Sequence, residues 1–290
     1  MEPWESLAAD VRQIVRSYRL DAAAGALAAR AADGTSVLLA LDEQDVDGFV
    51  TTGTLMYAAS IAKQVIGLLL SQQIQAGALD EGQTLSEYVG DLPDWAGQIR
   101  VRHLIHHTSG LPPTRSPAEA ADNQKVLAFL RGCQGLTTQP GTTYAYSNVG
   151  YICLAEILTR LSGRTVEHLA HSTLFTPLGM TSTTLGPTIP ITRSGHAPPP
   201  VTVGDGGLWT TAEDLLRWND AMNSHVFGRA VHERAETTGT LDDGTPLDYA
   251  WGVRVIDHRG RRTLSHGGSW PTWSAKTVTS LALAAAEALG

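Results

Sequence analysis

Between residues 59 and 75 the apolar side chains Ile61, Val65, Ile66, Leu68, Leu69, Leu70 and Ile74 cover most of a helix's circumference. Such a helix has no face to give to water. It must lie inside a folded body with other elements packed nearly all round it. Lys63 falls in its first turn. An unpartnered ammonium is costly to bury, so the fold must bring Lys63 a partner or a cavity. Ser60 precedes it by three residues, and residues three apart share a helix face. There the amine can act on the proton of the hydroxyl. Taken alone, the two residues equally fit a capping serine one turn from a solvated lysine, because Ser-x-x-Lys arises often by chance.

A chain of 290 residues suits one large or two intimate domains, with ample material for a core. The net charge is 21 − 29 = −8, and no Lys/Arg cluster breaks the acidic balance. That argues against a nucleic-acid partner or an anionic membrane surface. Cys133 and Cys153 are too few for a disulfide framework and read as thiols, Cys153 within a helix. Residues 1–6 are acidic and carry no basic segment followed by an apolar one, so no signal peptide is expected. No charge-free apolar segment reaches the roughly 20 residues needed to span a bilayer. A cytoplasmic location is the resulting expectation.

Residues 4–18 have the spacing of a helix, with Trp4, Leu7, Val11, Ile14 and Val15 on one side. Apolar runs at 24–31 and 36–41 flank the turn composition of 32–35 and predict a hairpin. Further helices are predicted at 101–107, 123–131, 149–161 and 165–174. Residues 186–203 are rich in proline and small side chains and read as a surface loop. Thr210-Thr211-Ala212-Glu213 fits a capping box opening a helix with Leu215, Leu216, Trp218 and Met222 on one side. A second hairpin is predicted from 251–256 and 262–266, then a strand at 272–278 and a helix at 280–289. Strand-rich ends thus enclose a helical middle. The expected organisation is an α/β (α+β) domain from 1–78 and 204–290, its two ends forming one antiparallel sheet, with 79–203 as a mostly helical insertion. Ser60 and Lys63 would lie at the junction, where pockets tend to form.

Two further stretches carry chemistry. Tyr146-Ser147-Asn148 offers a phenol and an amide. A tyrosine near a lysine ammonium loses its proton more easily, and the phenolate could then take the serine proton. Asn148 could orient a substrate or hold the lysine. The structural alternative is a loop tyrosine followed by an asparagine helix cap. His266-Gly267-Gly268-Ser269 stands at a strand end, where glycines let a substrate approach the backbone and the following N–H could receive an oxyanion. A glycine turn after an edge strand is the alternative there.

Ser60-x-x-Lys63, Tyr146-x-Asn148 and His266-x-Gly268, in this order, resemble the serine β-lactamase/penicillin-binding-protein-like family, most closely its class C-like and esterase branch. The segment 101–111, ending His107-Thr108-Ser109-Gly110-Leu111, is similar to that branch's LLxHTSGL. Pro140 to Gly150 resembles PGxxYxYSNxGY. Leu174 to Met180 and Gly206 to Leu215 are similar to further signatures. The resemblance covers roughly residues 22 to 273. It implies a β-lactamase/transpeptidase-like fold, an antiparallel sheet flanked by helices beside a mostly helical domain. It implies Ser60 as acyl-accepting nucleophile, Lys63 and Tyr146 sharing the general-base role, and the backbone N–H groups of Ser60 and Ser269 as oxyanion hole. Asn148, His266, Gly267 and Gly268 would bind substrate. No metal and no cofactor is expected. His103 and His107 stand four apart, but the glutamate of His-Glu-x-x-His is missing. Trp209, Trp270 and Trp273 either line an acyl pocket or pack in the core.

The chain departs from the family in three ways. His266 stands where lactam- and D-peptide-hydrolysing members mostly carry lysine. Imidazole is mostly neutral at pH 7 unless paired, so a strong carboxylate anchor is lacking. Only 290 − 266 = 24 residues follow His266, enough for about one strand and one helix, so the C-terminal part of the sheet is shortened. The expected compartment also differs from that of peptidoglycan enzymes. These features predict a serine hydrolase of small-molecule esters, amides or peptide-like substrates acting through acyl-Ser60. An acyltransferase or cyclase on the same site, a D-amino-peptidase or weak β-lactamase, and an inactive binding scaffold remain alternatives. The oligomeric state is not indicated.

Overall fold

The computed structural model describes residues 25–30, 36–41, 51–116, 121–186, 201–258, 261–270 and 273–280. The expected helix at 4–18, the turn at 32–35 and all but the first residue of the helix at 280–289 lie outside them. β1 (Gly25–Arg30) and β2 (Ser36–Leu41) form the expected hairpin, antiparallel from Gly25↔Leu41 to Arg30↔Ser36.

β3 (Met56–Ala59) runs into α1 (Ala62–Gln75). The helix starts three residues later than its apolar spacing predicts. Ala59 has a φ of 46°, and Ser60 and Ile61 form a turn. A left-handed backbone is costly for a residue with a Cβ, so the surrounding packing must hold it. Ser60 therefore stands on a bend between strand and helix. From residue 62 to 71 every residue of α1 is buried, as its all-round apolar surface requires.

A helical middle follows: α2 (Leu85–Tyr88), a tight turn at Asp94–Gln98, α3 (Val101–Ile105), α4 (Asn123–Arg131), α5 (Asn148–Ser162) and α6 (Val166–Ala170). α3 stops two residues short of its expected end, and His107 beyond it takes a φ of 58°. The helix expected at 165–174 divides into α6 and a wider turn at His171–Phe175. Then come β4 (Thr184–Leu185), β5 (Leu208–Thr210), α7 (Ala212–Ser224) and α8 (Arg229–Ala235). The cap of α7 is one residue later than the sequence pattern predicts. Thr211 accepts from Asp214 N–H at 3.1 Å, and Glu213 instead accepts from Thr52 Oγ1 at 2.7 Å. β6 (Arg254–His258), β7 (Arg261–Trp270) and β8 (Trp273–Ser280) complete the described elements.

Among the described residues the two ends of the chain do not join into one sheet. Strands order as β1-β2, β3-β5-β4 and β6-β7-β8, and no strand joins β1 to β8 among the described residues. α7 spans the interval instead. Its neighbouring residues reach opposite ways: Asn219 Oδ1 accepts from Thr279 Oγ1 of β8 at 3.0 Å, and Asp220 pairs with Arg30 of β1 at 3.0 Å.

Two glycines set the approach of other elements to the Ser60 bend. A Cβ on Gly268 would lie 2.0 Å from the Ala58 carbonyl oxygen, so only glycine lets β7 press against β3. Gly252 (φ 87°) packs on the first turn of α1, where a Cβ would meet the Lys63 carbonyl oxygen at 2.1 Å. We expect Gly268→Ala to force β7 off β3 and to destabilise the chain by about 1–3 kcal/mol or more. Gly267→Ala, whose Cβ would make only a 3.8 Å contact with Ala275, is expected to change stability by less than about 0.5 kcal/mol. Urea unfolding of the two variants checks the difference.

Candidate active site

Lys63 is fully buried. Its ammonium donates to Ser60 Oγ at 3.1 Å, Asn148 Oδ1 at 2.9 Å and the Asp205 backbone carbonyl at 2.7 Å. An ammonium has three donors, and each has a partner. Burial pulls its pKa down from 10.5 to about 8, and Asp205 pushes it partly back. Its Nζ also lies 5.0 Å from the ring centre of Tyr146 and 5.5 Å from that of Tyr151.

α5 delivers Asn148. The cap of that helix is Ser147, whose Oγ accepts from Gly150 N–H at 3.1 Å. Asn148 is thus the first helical residue rather than the cap, and its amide is left to reach Lys63. Ser147 N–H in turn donates to His107 Nδ1 at 3.1 Å, which fixes His107 as the Nε2–H tautomer. His107 packs among aromatic rings, 4.3 Å from Tyr146, 4.5 Å from Tyr249 and 5.0 Å from Tyr151. Burial first, then Lys63, holds its pKa down at about 2. It is a neutral spacer behind the site. His103 Nδ1 accepts from Arg100 N–H, so the two histidines spaced four apart face different partners.

The Tyr146 hydroxyl is hydrogen-bonded to the Ser60 side chain. The ring is 44% exposed while its hydroxyl end is sheltered, and the net effect of burial raises its pKa to about 12. The expectation that a lysine would ease phenol ionisation is therefore corrected. Desolvation wins, and Tyr146 stays a phenol at neutral pH.

β7 supplies His266, Gly267, Gly268 and Ser269. His266 Nδ1–H donates to the Gly267 carbonyl at 2.7 Å, and Tyr249 Oη–H donates to Nε2 at 2.9 Å. Burial first, then Lys63, lowers its pKa to about 4, so it is neutral at pH 7. Ser269 follows Gly268, which lies against Ala58 and Ala59, and so sits within reach of the Ser60 bend. The structure thus gathers Ser60, Lys63, Tyr146 and Asn148 by direct hydrogen bonds, with the β7 residues alongside. Trp209 is buried and packs at 5.2 Å against Tyr57. The side chains of Trp270 and Trp273 lie outside the described residues.

Three participants escape the sequence motifs: Asp205, Tyr249 and Arg254. Asp205 stands one residue before the Gly206 to Leu215 signature. Burial raises its carboxyl pKa against the opposing pull of Lys63, and its Oδ1 is buried without a hydrogen-bond partner. Arg254 carries a half-exposed guanidinium 5.9 Å from the Tyr144 ring centre and 6.0 Å from that of Tyr249, and it pairs with Asp248.

The family model described as Beta-lactamase matches residues 11–285, and the chain belongs to this family of serine hydrolases. Penicillin-binding protein 4* of Bacillus subtilis (strain 168) is 25% identical over 266 residues, which cover 78% of this chain and 58% of that protein. The D-aminopeptidase of Gluconobacter oxydans (strain 621H) is 26% identical over 247 residues, covering 77% and 46%. The chain spans about half the length of these relatives. Among solved structures, the octameric penicillin-binding protein homologue from Pyrococcus abyssi superposes with a TM-score of 0.77 at 19% identity, covering 94% of this chain and 70% of that one. The D-amino acid amidase from Ochrobactrum anthropi SV3 complexed with L-phenylalanine amide gives 0.71 at 21% identity, covering 88% and 86%. The fold is β-lactamase/transpeptidase-like. No helix among the described residues is long and apolar enough to cross a membrane.

Asp205→Asn removes a carboxylate that raises the Lys63 pKa while keeping the backbone carbonyl that holds its Nζ. The Lys63 titration is expected to move further below about 8. The Nζ signal of 15N-lysine-labelled protein, followed against pH, reports the shift. An unmoved midpoint would mean that the carboxyl does not act on Lys63.

Proposed function

We propose that the chain is an acyl-transferring serine hydrolase of esters or small amides, with Lys63 as the base for Ser60. One observation carries the reading. Two of the three Lys63 partners, Asn148 Oδ1 and the Asp205 carbonyl, are oxygens that only accept. When the amine is neutral, its remaining N–H bonds satisfy them, and the lone pair is left facing Ser60. A pKa of about 8 makes roughly a tenth of the lysine neutral at pH 7.

The steps follow from this. Ser60 Oγ forms a bond to the carbonyl carbon as its proton passes to Lys63. The carbonyl π pair moves onto oxygen, where the backbone N–H groups of Ser60 and Ser269 receive it. The intermediate collapses, the bond to the leaving group breaks, and Tyr146 gives that group its phenolic proton. Lys63 returns the proton it took, restoring the phenol. Water then attacks acyl-Ser60 by the same route reversed. In this reading the site lies where the helical segment 79–203 meets the rest of the chain.

The pH sign is set by Lys63. Its protonated form cannot act as base, so acylation rises with pH through about 8. Tyr146 stays protonated up to about 12 and imposes no fall before then. Intact-protein mass after a fluorophosphonate probe is expected to show one adduct on the wild type and none on Ser60→Ala. No wild-type adduct, or an equal adduct on the variant, would sink the proposal and favour a binding scaffold. Tyr146→Phe is expected to lower kcat about 10²–10⁴-fold, as loss of a proton-transfer group does.

A second reading takes a peptide or amide bearing a carboxylate, as the names of the D-aminopeptidase and amidase relatives invite. Its support is Arg254, a cation near His266 and Tyr146 that supplies the charge neutral His266 lacks. Under it, Arg254→Gln raises KM about tenfold for carboxylate-bearing substrates and leaves neutral esters unchanged. An equal effect on both classes would count against it.

A further inference from the structure

α7 ends at His225, a non-glycine residue with φ 51° and ψ 42°. This left-handed cap turns the chain back, and α8 begins four residues later at Arg229. His232 lies on α8 and Glu236 directly follows that helix, four residues apart and so on one face. The turn brings His225 onto that same face. Its ring stacks on that of His232, with centroids 5.0 Å apart and planes 15° off parallel. One ring nitrogen from each histidine and one oxygen of Glu236 all lie within 4.8 Å of one another.

We propose that His225, His232 and Glu236 form a binding site for a divalent transition-metal ion, best suited to Zn²⁺, that clamps the α7–α8 corner. Two imidazoles and one carboxylate, with a water in the fourth position, make a familiar zinc donor set. Tetrahedral zinc sets its donors about 3.3 Å apart. His225 Nε2 and Glu236 Oε1 already stand at 3.1 Å. His232 must close the rest by a small movement.

The surroundings suit the ion. His232 and Glu236 are almost fully buried, whereas 30% of the His225 side chain is exposed, which leaves a path for an ion and its water. Glu236 Oε2 accepts from Arg262 Nη1 at 2.7 Å, so that oxygen is anchored while Oε1 faces the histidines. Metal-bound carboxylates are commonly steadied in this way. His232 Nδ1 is buried without a hydrogen-bond partner, while Nε2 accepts from Phe227 N–H at 3.3 Å. Ligation through Nδ1 moves the ring proton to Nε2 and gives up that long contact.

The role assigned is structural. α8 packs on the far turns of α1, where Ser71 Oγ donates to the Val231 carbonyl at 2.7 Å. Arg262 belongs to β7, the strand of His266. An ion would therefore tie α7 and α8 to the back of the nucleophile helix and, through Arg262, to β7, without touching Ser60.

The test uses the full chain after chelator treatment and dialysis. Isothermal titration with ZnCl₂ is expected to give one equivalent with a rise in Tm. His225→Asn is expected to bind at least about tenfold more weakly while keeping wild-type probe labelling at Ser60. Asparagine tolerates the left-handed cap, so the variant should fold. Cobalt substitution of the unaltered protein gives an independent readout, an intense visible band typical of tetrahedral coordination. No stoichiometric binding by the wild type, or undiminished binding by His225→Asn, would overturn the site. The latter would place the ion on other histidines.

Discussion

Everything around Ser60 depends on burying one ammonium. Lowering the Lys63 pKa from 10.5 to about 8 corresponds to about 3 kcal/mol withheld from the folded state when the lysine is charged. The sign follows from the depressed pKa. The cost is fully present below about 8, fades as pH rises, and is gone above the unfolded value of 10.5. The core of α1 must offset it. The ten-residue buried run from 62 to 71 does so by placing apolar side chains on every side. The same run leaves the ammonium no water, so the adjacent Ser60 bend and two distant pieces of chain, the start of α5 and the loop before β5, must supply its partners.

Burial also selects which group works near neutrality. His107 is held at about 2 and His266 at about 4, while Tyr57 and Tyr146 are pushed up to about 12. Each moves away from pH 7 because desolvation penalises its charged form. The lysine moves toward it for the same reason, since its ordinary value is so high. One physical cause thus moves the neighbours away from neutrality and Lys63 toward it.

Much of this was legible in the sequence. Ser60 and Lys63 could be paired because helix spacing is local, and an all-round apolar helix implies a lysine with partners. Hairpins and most helices were legible for the same reason. What failed depended on tertiary context. The Tyr146 shift has the opposite sign because burial cannot be counted along a chain. The role of Asp205 rests partly on a backbone carbonyl, which every residue has and no motif marks. Asn148 had two readings, a helix cap or a hold on the lysine, and Ser147 takes the cap while Asn148 holds Lys63. The three separate strand groups were only half foreseen. Nothing local along the chain marks that Asn219 and Asp220 of α7 reach β8 and β1 in turn.

That interval bears on whether the site is assembled at all. If the position of β7 relied on an unbroken sheet from β1 to β8, the interval between those strands would let His266 and Ser269 drift from Ser60. The contacts argue otherwise. β7 is seated on β3 through Gly268 against Ala58, and β8 is tied to α1 by Gln64, whose Nε2 donates to Thr277 Oγ1 at 2.5 Å. Gln64 also accepts from Trp218 of α7 at 2.8 Å, so one residue beside Lys63 fastens both β8 and the helix beneath the interval. The β7 edge of the sheet is fixed from α1 outward. The far hairpin hangs on α7, and its separation is not transmitted to the site.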